Sequence, residues 1–241
     1  MSSPHVQGPN DFMRDWVPLK NEFRDVLLQH NTLPTDSHCS ICHHQEGLLQ
    51  CRDCFGWPMF CQNCLVSSHQ QMPFHQVLQW NGTHLAKSDL DQLGLVLHLG
   101  HSGSSCHSPT HHSHHWVNDE LVDVVDEVLL VSGEDGNTDE DGCVRIVVVD
   151  KAGVFTRRFT FCSCGSTLPR WKQLLEAGFW PASTKRPQTV FTLDLLRHFN
   201  FISLEAKVAA SAYMTALVHY HGGNKYKTMP VSGCLLLLAA C

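Results

Sequence analysis

The sequence predicts an α+β chain, and three observations lead to that prediction. From Cys39 to about Trp80, cysteines and histidines replace the aliphatic periodicity of an ordinary domain. The β-branched run Val144–Val149 is followed by a turn and a second strand, as in a hairpin. Two helical patterns, at about 193–200 and 205–220, come near the end of the chain. We therefore expect a small finger followed by a β-hairpin with helices.

The first half of the chain divides into a polar segment, the finger and a helical stretch. Residues 1–37 are polar, with Pro and Gly at intervals, and predict a flexible segment with a short helix starting near Pro18. Residues 38–80 form the predicted finger. The stretch Leu85–Leu93 predicts a helix, in which Ser88 caps the turn that begins at Asp89.

Residues 81–220, which include this helical stretch, are expected to form one domain that an acidic insertion interrupts. Residues 107–115 are rich in His and Ser, and the preferred interpretation is a mobile polar tract. Residues 118–142 contain ten acidic residues and no Lys or Arg, so they predict a solvated loop. The returning strand is predicted at 154–162, a helix at 168–177 and a short strand at 189–192. Residues 221–241 predict an irregular tail.

The high cysteine content indicates metal binding in a reducing compartment. The chain has 12 cysteines, which indicate either disulfides in a secreted protein or thiolates bound to metal. The N-terminus has no signal-peptide pattern, and no run approaches the roughly 20 apolar residues that span a bilayer. We expect an intracellular and nuclear location, with no membrane and no small-molecule substrate.

Eight residues of the finger have the spacing of zinc ligands. Three C-x2-C pairs and a terminal pair of histidines lie within one short segment. The ligands are Cys39, Cys42, Cys51, Cys54, Cys61, Cys64, His69 and His75. Zinc in structural sites takes four N or S ligands in a tetrahedron, so eight ligands predict two closed sites. The segment is too small to fold on its apolar surface alone, so the metal must stabilise it.

The pairing of these ligands has two possible arrangements. Sequential binding joins the first four ligands in one site and the last four in the other. Interleaved binding joins the first and third C-x2-C pairs, and the second pair with the two histidines. The order of residue types resembles B-box and ZZ-type cross-brace fingers, and that resemblance favours the interleaved arrangement.

A longer set of motifs beyond the finger resembles a known family. The motifs are Trp80-Asn81-Gly82, Leu93-Gly94-Leu95, Leu99-Gly100-His101 with Cys106, Phe161-Cys162-Ser163-Cys164, Gln173-Leu174-Leu175, Trp180-Pro181-Ala182, Pro187–Thr192, Lys207 and Ala212-Tyr213. Their order and spacing resemble the CxC2-like cysteine cluster domain that precedes the catalytic region of the KDZ (Kyakuja–Dileera–Zisupton) transposases of fungi. With the finger, the resemblance covers about residues 39–217.

The resemblance implies a zinc-stabilised cross-brace finger and a cysteine-cluster domain without catalysis in this chain. It also implies a third zinc site, with His101, Cys106, Cys162 and Cys164 as ligands. In a strand, Cys162 and Cys164 would point to the same face. The family usually has a histidine after the hairpin turn, where this chain has Val154 and Phe155.

Two binding functions follow from the sequence. Residues 143–241 carry 12 Lys and Arg against four acidic residues, which favours a polyanionic partner such as DNA. The candidate nucleic-acid contacts are Arg157, Arg158, Arg170, Lys172, Lys185 and Arg186. The alternative is a B-box-type adaptor that binds a transposase or chromatin protein.

An enzymatic role is not favoured by the sequence. Asp150 ends a strand, as does the first acid of nuclease-like folds, but two-metal catalysis needs further converging carboxylates. Asp194 and Glu205 have no spacing that supports such convergence. A solvated turn residue is therefore the preferred interpretation of Asp150.

Overall fold

The computed structural model describes residues 10–106, 142–164 and 168–220. The predictions for residues 107–115, for 118–141 and for the tail 221–241 lie outside the described residues. The chain divides into two compact units. The finger unit is Met1–Ser68 with His75–Asp89, and the sheet unit is His69–Phe74 with Leu90–Cys241. Both helices and strands are present, so the α+β prediction is confirmed.

The finger unit contains short helices and an antiparallel sheet. Its helices are α1 (Asp11–Trp16), α2 (Lys20–Gln29) and α3 (Gln62–Ser68), with a 3-10 helix at Val17–Leu19. Its strands are β1 (Leu49–Cys51), β2 (Met59–Phe60), β3 (Val77–Trp80) and β4 (Leu85–Ser88), in the order β2-β1-β3-β4. Met59, Leu78 and Leu85 form a small apolar cluster in this unit. The helix predicted near Pro18 is confirmed by α2.

The predicted helix at 85–93 is wrong. Leu85–Ser88 is strand β4, and it pairs antiparallel with β3. The pairing gives β4 backbone hydrogen bonds along the edge that faces β3, and Leu85 lies in the apolar cluster. Tertiary pairing therefore overrides the local helix propensity of this stretch. Residues 81–89, assigned from the sequence to the second domain, lie in the finger unit.

The sheet unit is built on a mixed sheet of five strands in the described residues. The strands are β5 (Val96–His98), β6 (Val144–Asp150), β7 (Gly153–Thr160), β8 (Phe179–Pro181) and β9 (Thr189–Thr192). Their order is β5-β7-β6-β9-β8. β6 and β7 form the predicted hairpin, while β5 runs parallel to β7 and β9 parallel to β6. The hairpin therefore occupies the inside of the sheet and is buried by neighbours on both edges.

Helices α4 (Arg170–Glu176), α5 (Leu193–Ala206) and α6 (Ala210–Tyr220) complete the sheet unit. The apolar faces of α5 and α6 pack with the strands in one cluster. Its buried members are Val149, Val154, Phe191, Leu195, Leu196, Phe199, Tyr213, Met214 and Leu217. The Thr192 side chain accepts a hydrogen bond from the Leu195 amide and caps α5, which ends at Lys207 in the left-handed conformation. The helix predicted to end near residue 200 thus continues to Ala206. Within the described residues, no helix is long and apolar enough to cross a membrane.

Candidate metal centres

The first metal centre consists of four cysteines from two C-x2-C pairs. The sulfur atoms of Cys39, Cys42, Cys61 and Cys64 all lie within 4.8 Å of one another. The Sγ atoms of Cys42 and Cys61 are 3.9 Å apart. Two sulfurs bound to one tetrahedral zinc at about 2.3 Å would be about 3.8 Å apart, so this spacing fits a zinc ion.

Local backbone structure positions these four thiols. β2 leads directly to Cys61, and α3 presents Cys64 one turn later. On the other side, the amide of Cys39 donates to the carbonyl of Gln45, and the amide of His43 donates to the carbonyl of Cys39. The result is two tight turns that face each other.

The backbone amides of these turns favour a thiolate at Cys39. Burial raises the pKa of the Cys39 thiol, but hydrogen bonds from the backbone of Cys42, Cys61 and Ile41 outweigh burial and lower the pKa to about 6. The Cys61 side chain, burial and the neighbouring thiol of Cys39 raise the pKa of Cys64 to about 12. Ionisation of Cys64 would place a second negative sulfur beside that of Cys39, which is unfavourable. A bound cation removes that cost, since it neutralises the sulfurs it coordinates.

The second metal centre consists of two cysteines and two histidines. The ligand atoms of Cys51, Cys54, His69 and His75 lie within 4.8 Å of one another. Nδ1 of His75 is 3.4 Å from Sγ of Cys51 and 3.5 Å from Sγ of Cys54. Cys51 and His69 are fully buried. These two groups have the membership of the interleaved arrangement; that both hold zinc stays a prediction.

A short clamp holds the second C-x2-C turn next to His75. The amide of Gln76 donates to Oδ2 of Asp53 at 2.6 Å, and the amide of Arg52 donates to the carbonyl of Gln76 at 3.0 Å. The residues between Cys51 and Cys54 are thus bonded to the residue that follows His75. This clamp fixes the second C-x2-C pair next to His75.

The third group consists of residues far apart in the sequence. The ligand atoms of His101, Cys106, Cys162 and Cys164 lie within 4.8 Å of one another. Sγ of Cys162 is 3.2 Å from Nε2 of His101 and 3.9 Å from Sγ of Cys106, while the Sγ atoms of Cys106 and Cys164 are 2.9 Å apart. The structure therefore brings together the four residues that the sequence resemblance implies.

The two cysteines of the C-x-C motif are not part of a strand, contrary to expectation, because β7 ends at Thr160. Their position depends on Gln173 of α4. Its Oε1 accepts a hydrogen bond from the amide of Cys162 at 2.9 Å, and its Nε2 donates to the carbonyls of Cys162 and Leu168 at 3.0 and 2.9 Å. Gln173 is 7% exposed. Gln173 belongs to one of the sequence motifs, but no local pattern indicates that it holds the C-x-C segment.

Gly100 allows the histidine of the third group to approach the C-x-C motif. Gly100 has φ of +88°, and a Cβ atom at this position would lie 2.8 Å from Cβ of Cys162. Any other residue would therefore be strained and would collide with a ligand. His101 and Cys162 come together because this backbone carries no side chain.

A cavity of about 680 Å³ in the sheet unit adjoins the third group. His101, Cys162 and Cys164 line it, together with the aromatic rings of Phe74 and Phe179. His101 is exposed and the three cysteines are half-buried. The third group is consequently more accessible to solvent than the first two centres, in which Cys39, Cys51 and His69 are fully buried.

The comparison with protein families places the second half of the chain. Residues 131–223 match the family described as "CxC2 like cysteine cluster associated with KDZ transposases". This chain carries a CxC2-like domain. Its match includes Cys162 and Cys164, while His101 and Cys106 precede it. The first two metal centres fit a zinc finger upstream of the CxC2-like domain. No curated protein and no solved structure matches the chain.

The CxC2-like domain uses the positions after its hairpin turn for packing. Val154 and Phe155, at the positions where the sequence resemblance implies a histidine, are 0% and 2% exposed. Phe155 packs against Phe74, with ring centroids 5.6 Å apart. These positions contribute to the core and not to a metal site.

Two of the six predicted nucleic-acid contacts have side chains that are buried or nearly so. Arg157 is 1% exposed, and its guanidinium donates to the carbonyls of Pro73 and Thr156, each at 2.7 Å. The Arg158 side chain is 15% exposed and lies 3.3 Å from the carboxylate of Asp91. Because the Arg157 side chain is buried and the Arg158 side chain lies against Asp91, neither guanidinium is presented to a phosphate at the surface.

The other four predicted contacts are closer to solvent. Lys172, Lys185 and Arg186 are exposed, and Arg170 is half-buried with its guanidinium 5.0 Å from the ring centre of Phe161.

The Asp150 side chain is buried and hydrogen-bonded within the sheet unit, so the expectation of a solvated turn residue is wrong. Its Oδ1 accepts a hydrogen bond from the amide of Ala152, and its Oδ2 accepts one from the hydroxyl of Thr192. The carboxylate thus joins the hairpin turn to the cap of α5. Asp194 forms an ion pair with Lys151 on the surface.

Proposed function

We propose that the chain is a zinc-binding, non-catalytic module of a KDZ transposon system that assists binding to nucleic acid or to a partner protein. The observation that carries the proposal is the presence of three Cys/His quartets, one of which includes the C-x-C motif of the CxC2-like domain. The nuclear location expected from the sequence is part of the same proposal.

The chemistry of the three donor sets supports zinc. The first set has four cysteines, the second has two cysteines and two histidines, and the third has three cysteines and one histidine. Each set thus offers four soft or borderline ligands. A metal held by four protein ligands has no open position for a substrate or an activated water. The three sites would therefore stabilise structure and would not catalyse a reaction.

The experiment that tests zinc binding measures metal per chain by elemental mass spectrometry, on full-length protein purified without a His tag. Three zinc ions per chain are expected. Two would restrict zinc to the finger and leave the third quartet as packed side chains. Folded protein with no zinc would contradict the proposal.

Nucleic-acid binding is favoured by the basic character of the second half of the chain. The exposed Lys172, Lys185 and Arg186 offer phosphate contacts. Binding that rests on phosphate contacts weakens steeply with salt and shows little sequence preference.

A mobility-shift titration with a generic DNA duplex tests this part of the proposal. Lys185→Glu is expected to weaken binding at low salt and to reduce its salt dependence, while Arg197→Glu, at an exposed position of α5, serves as the charge-matched control. An equal effect of both variants would show that net charge alone is responsible. No retention of DNA at low salt would contradict a nucleic-acid function.

The second candidate function is that of a protein-interaction adaptor, and the knuckles of the finger favour it. Phe55, directly after Cys54, is fully exposed, and Ile41, between Cys39 and Cys42, is 51% exposed. Exposed apolar side chains held on a rigid turn are typical anchors of protein interfaces. Co-purification of one protein that survives high salt and is lost in Phe55→Ser would favour this function over nucleic-acid binding.

A further inference from the structure

The N-terminal arm, residues 10–29, is a nearly continuous helical segment. α1 leads through the 3-10 helix into α2, and the junction residues Trp16, Val17 and Lys20 keep right-handed helical dihedral angles. A helix of this length extends about 30 Å. No residue of α2 is buried. An isolated helix of this size is only marginally stable in water, so a packing partner would stabilise it.

The arm carries an apolar seam with heptad spacing. Trp16, Leu19, Phe23 and Val26 follow one another at intervals of three, four and three residues, as at positions a and d of a coiled coil. They are between 43% and 53% exposed. The rings of Trp16 and Phe23 stack with centroids 5.8 Å apart, which places both on one face. The seam has the geometry of a surface that packs against another helix.

The charges beside the seam favour a second copy of the chain, aligned in parallel. In this heptad, Asp15 and Glu22 occupy g positions, and Lys20 occupies an e position. In a parallel pair, g positions face e positions, so each Asp15 faces Lys20 of the second copy. In an antiparallel pair, g positions face g positions, which would bring the acidic residues of the two copies together. We propose that the N-terminal arm forms a parallel two-stranded coiled coil with the arm of a second chain.

The composition of the arm argues against a lipid surface as the occupant. Residues 10–29 contain four acidic and three basic residues. Two of the basic residues pair locally, Arg14 with Asp11 at 3.3 Å and Arg24 with Asp25 at 2.9 Å. Helices that lie on membranes are instead rich in Lys and Arg on their polar face.

The C-terminal end of the arm is attached to the finger. The rings of His30 and Trp57 contact edge to face at 4.4 Å, and Leu33 packs against the apolar cluster of the finger. The amide of Leu85 donates to the carbonyl of Asn31. Parallel pairing would therefore hold two fingers at the same end of the coiled coil, which doubles the binding valency of the molecule.

Sedimentation equilibrium on the zinc-loaded full-length chain tests this pairing. The unaltered chain is expected at twice its mass of 27.1 kDa. Phe23→Glu, on the seam, is expected to give a monomer. Leu28→Glu, at a position off the seam that is 55% exposed, is the matched control and should remain a dimer. Both positions are exposed, so neither substitution is expected to disturb the fold. Unchanged zinc content will show that the fold is kept.

The charge pattern provides a test of the parallel alignment. Asp15→Lys is expected to weaken dimerisation about two- to tenfold, and the further change Lys20→Asp should restore it, because the swapped pair is again complementary. A monomeric unaltered chain, including one that instead binds phosphatidylserine vesicles or a different protein through the arm, would overturn the proposal. So would a dimer that Phe23→Glu leaves intact, or a charge swap that restores nothing.

Discussion

The two centres of the finger and the third group use the same ligand types but are assembled in different ways. The ligands of the finger lie within the short segment Cys39–His75, and tight turns present them. The third group joins His101 and Cys106 to residues about 60 positions later. It depends on the parallel pairing of β5 with β7 and on a hydrogen-bond clamp from α4.

The two units also differ in how much apolar packing supports the metal ligands. Among the described residues, the cluster of Met59, Leu78 and Leu85 in the finger unit has three buried members, whereas the cluster around Phe191 in the sheet unit has nine. We infer that metal stabilises the finger itself, while in the CxC2-like domain the core stabilises the sheet and the sheet positions the metal ligands. Loss of metal should therefore have different consequences in the two units.

The largest expected effect is that of Cys39→Ser. The variant should lose the zinc of the first centre and, as the finger unit unfolds, the zinc of the second centre too, because structural zinc contributes on the order of 10 kcal/mol to small metal domains. Amide hydrogen exchange should show loss of protection in β1. The matched variant Cys162→Ser should lose only one zinc and keep protection in β6. Equal protection of β1 in both variants would refute the proposed role of metal in the finger.

Chelation should separate the third zinc from the other two. His101 is exposed and lines a cavity, whereas Cys39, Cys51 and His69 are fully buried. A competing chelator should therefore remove one zinc per chain faster than the remaining two, as followed with a colorimetric zinc indicator. Cys162→Ser is the control and should lack the fast phase. A fast phase that persists in this variant would assign the labile zinc to the finger.

Gln173→Leu should weaken the third site without removing a ligand. The substitution leaves the amide and carbonyl of Cys162 without their partner, which costs about 1–3 kcal/mol and loosens the C-x-C segment. Zinc affinity at this site is expected to fall about 10- to 100-fold in a chelator competition. Gln188→Leu, at an exposed position, should leave the affinity unchanged. If both variants retain full affinity, the clamp does not position the ligands.

Gly100→Ala should have the smallest effect of the four. The alanine methyl group would collide with Cβ of Cys162, and alanine is also strained at a positive φ. Together these two costs are expected to lower the free energy of unfolding by about 1–2 kcal/mol. Gly94→Ala carries the cost of a positive φ alone, because a Cβ there has nothing within 4 Å. The difference between the melting temperatures of Gly100→Ala and Gly94→Ala gives the cost of the steric contact with Cys162. Identical values would mean that the approach to Cys162 is relieved without cost.

Local patterns were sufficient to predict much of the sheet unit. The β-branched run that became β6, the turn after it and the short strand β9 all have signals within a few residues. The prediction for Leu85–Leu93 was wrong because the helical appearance of this stretch is weak, and pairing with β3 determines its structure. Strand pairing between distant segments has no local signal.

The burial of two basic residues also could not be predicted from local sequence patterns. Arg157 and Arg158 are charged residues that a sequence places at the surface by default. In the folded chain Arg157 is buried and its guanidinium donates to the carbonyl of Pro73. Only the tertiary structure reveals this, because burial depends on which distant segment covers each face of the strand.

The amino-acid sequence alone determined which residues are candidate metal ligands, since the C-x2-C spacing encodes two adjacent sulfurs in one turn. It also determined the hairpin and the helices that follow it. The tertiary structure decided how the eight ligands of the finger are grouped, and it decided that Gln173 and Gly100 shape the third group. Both depend on contacts between segments far apart in the chain, and those contacts arise only when the strands pair and the apolar core forms.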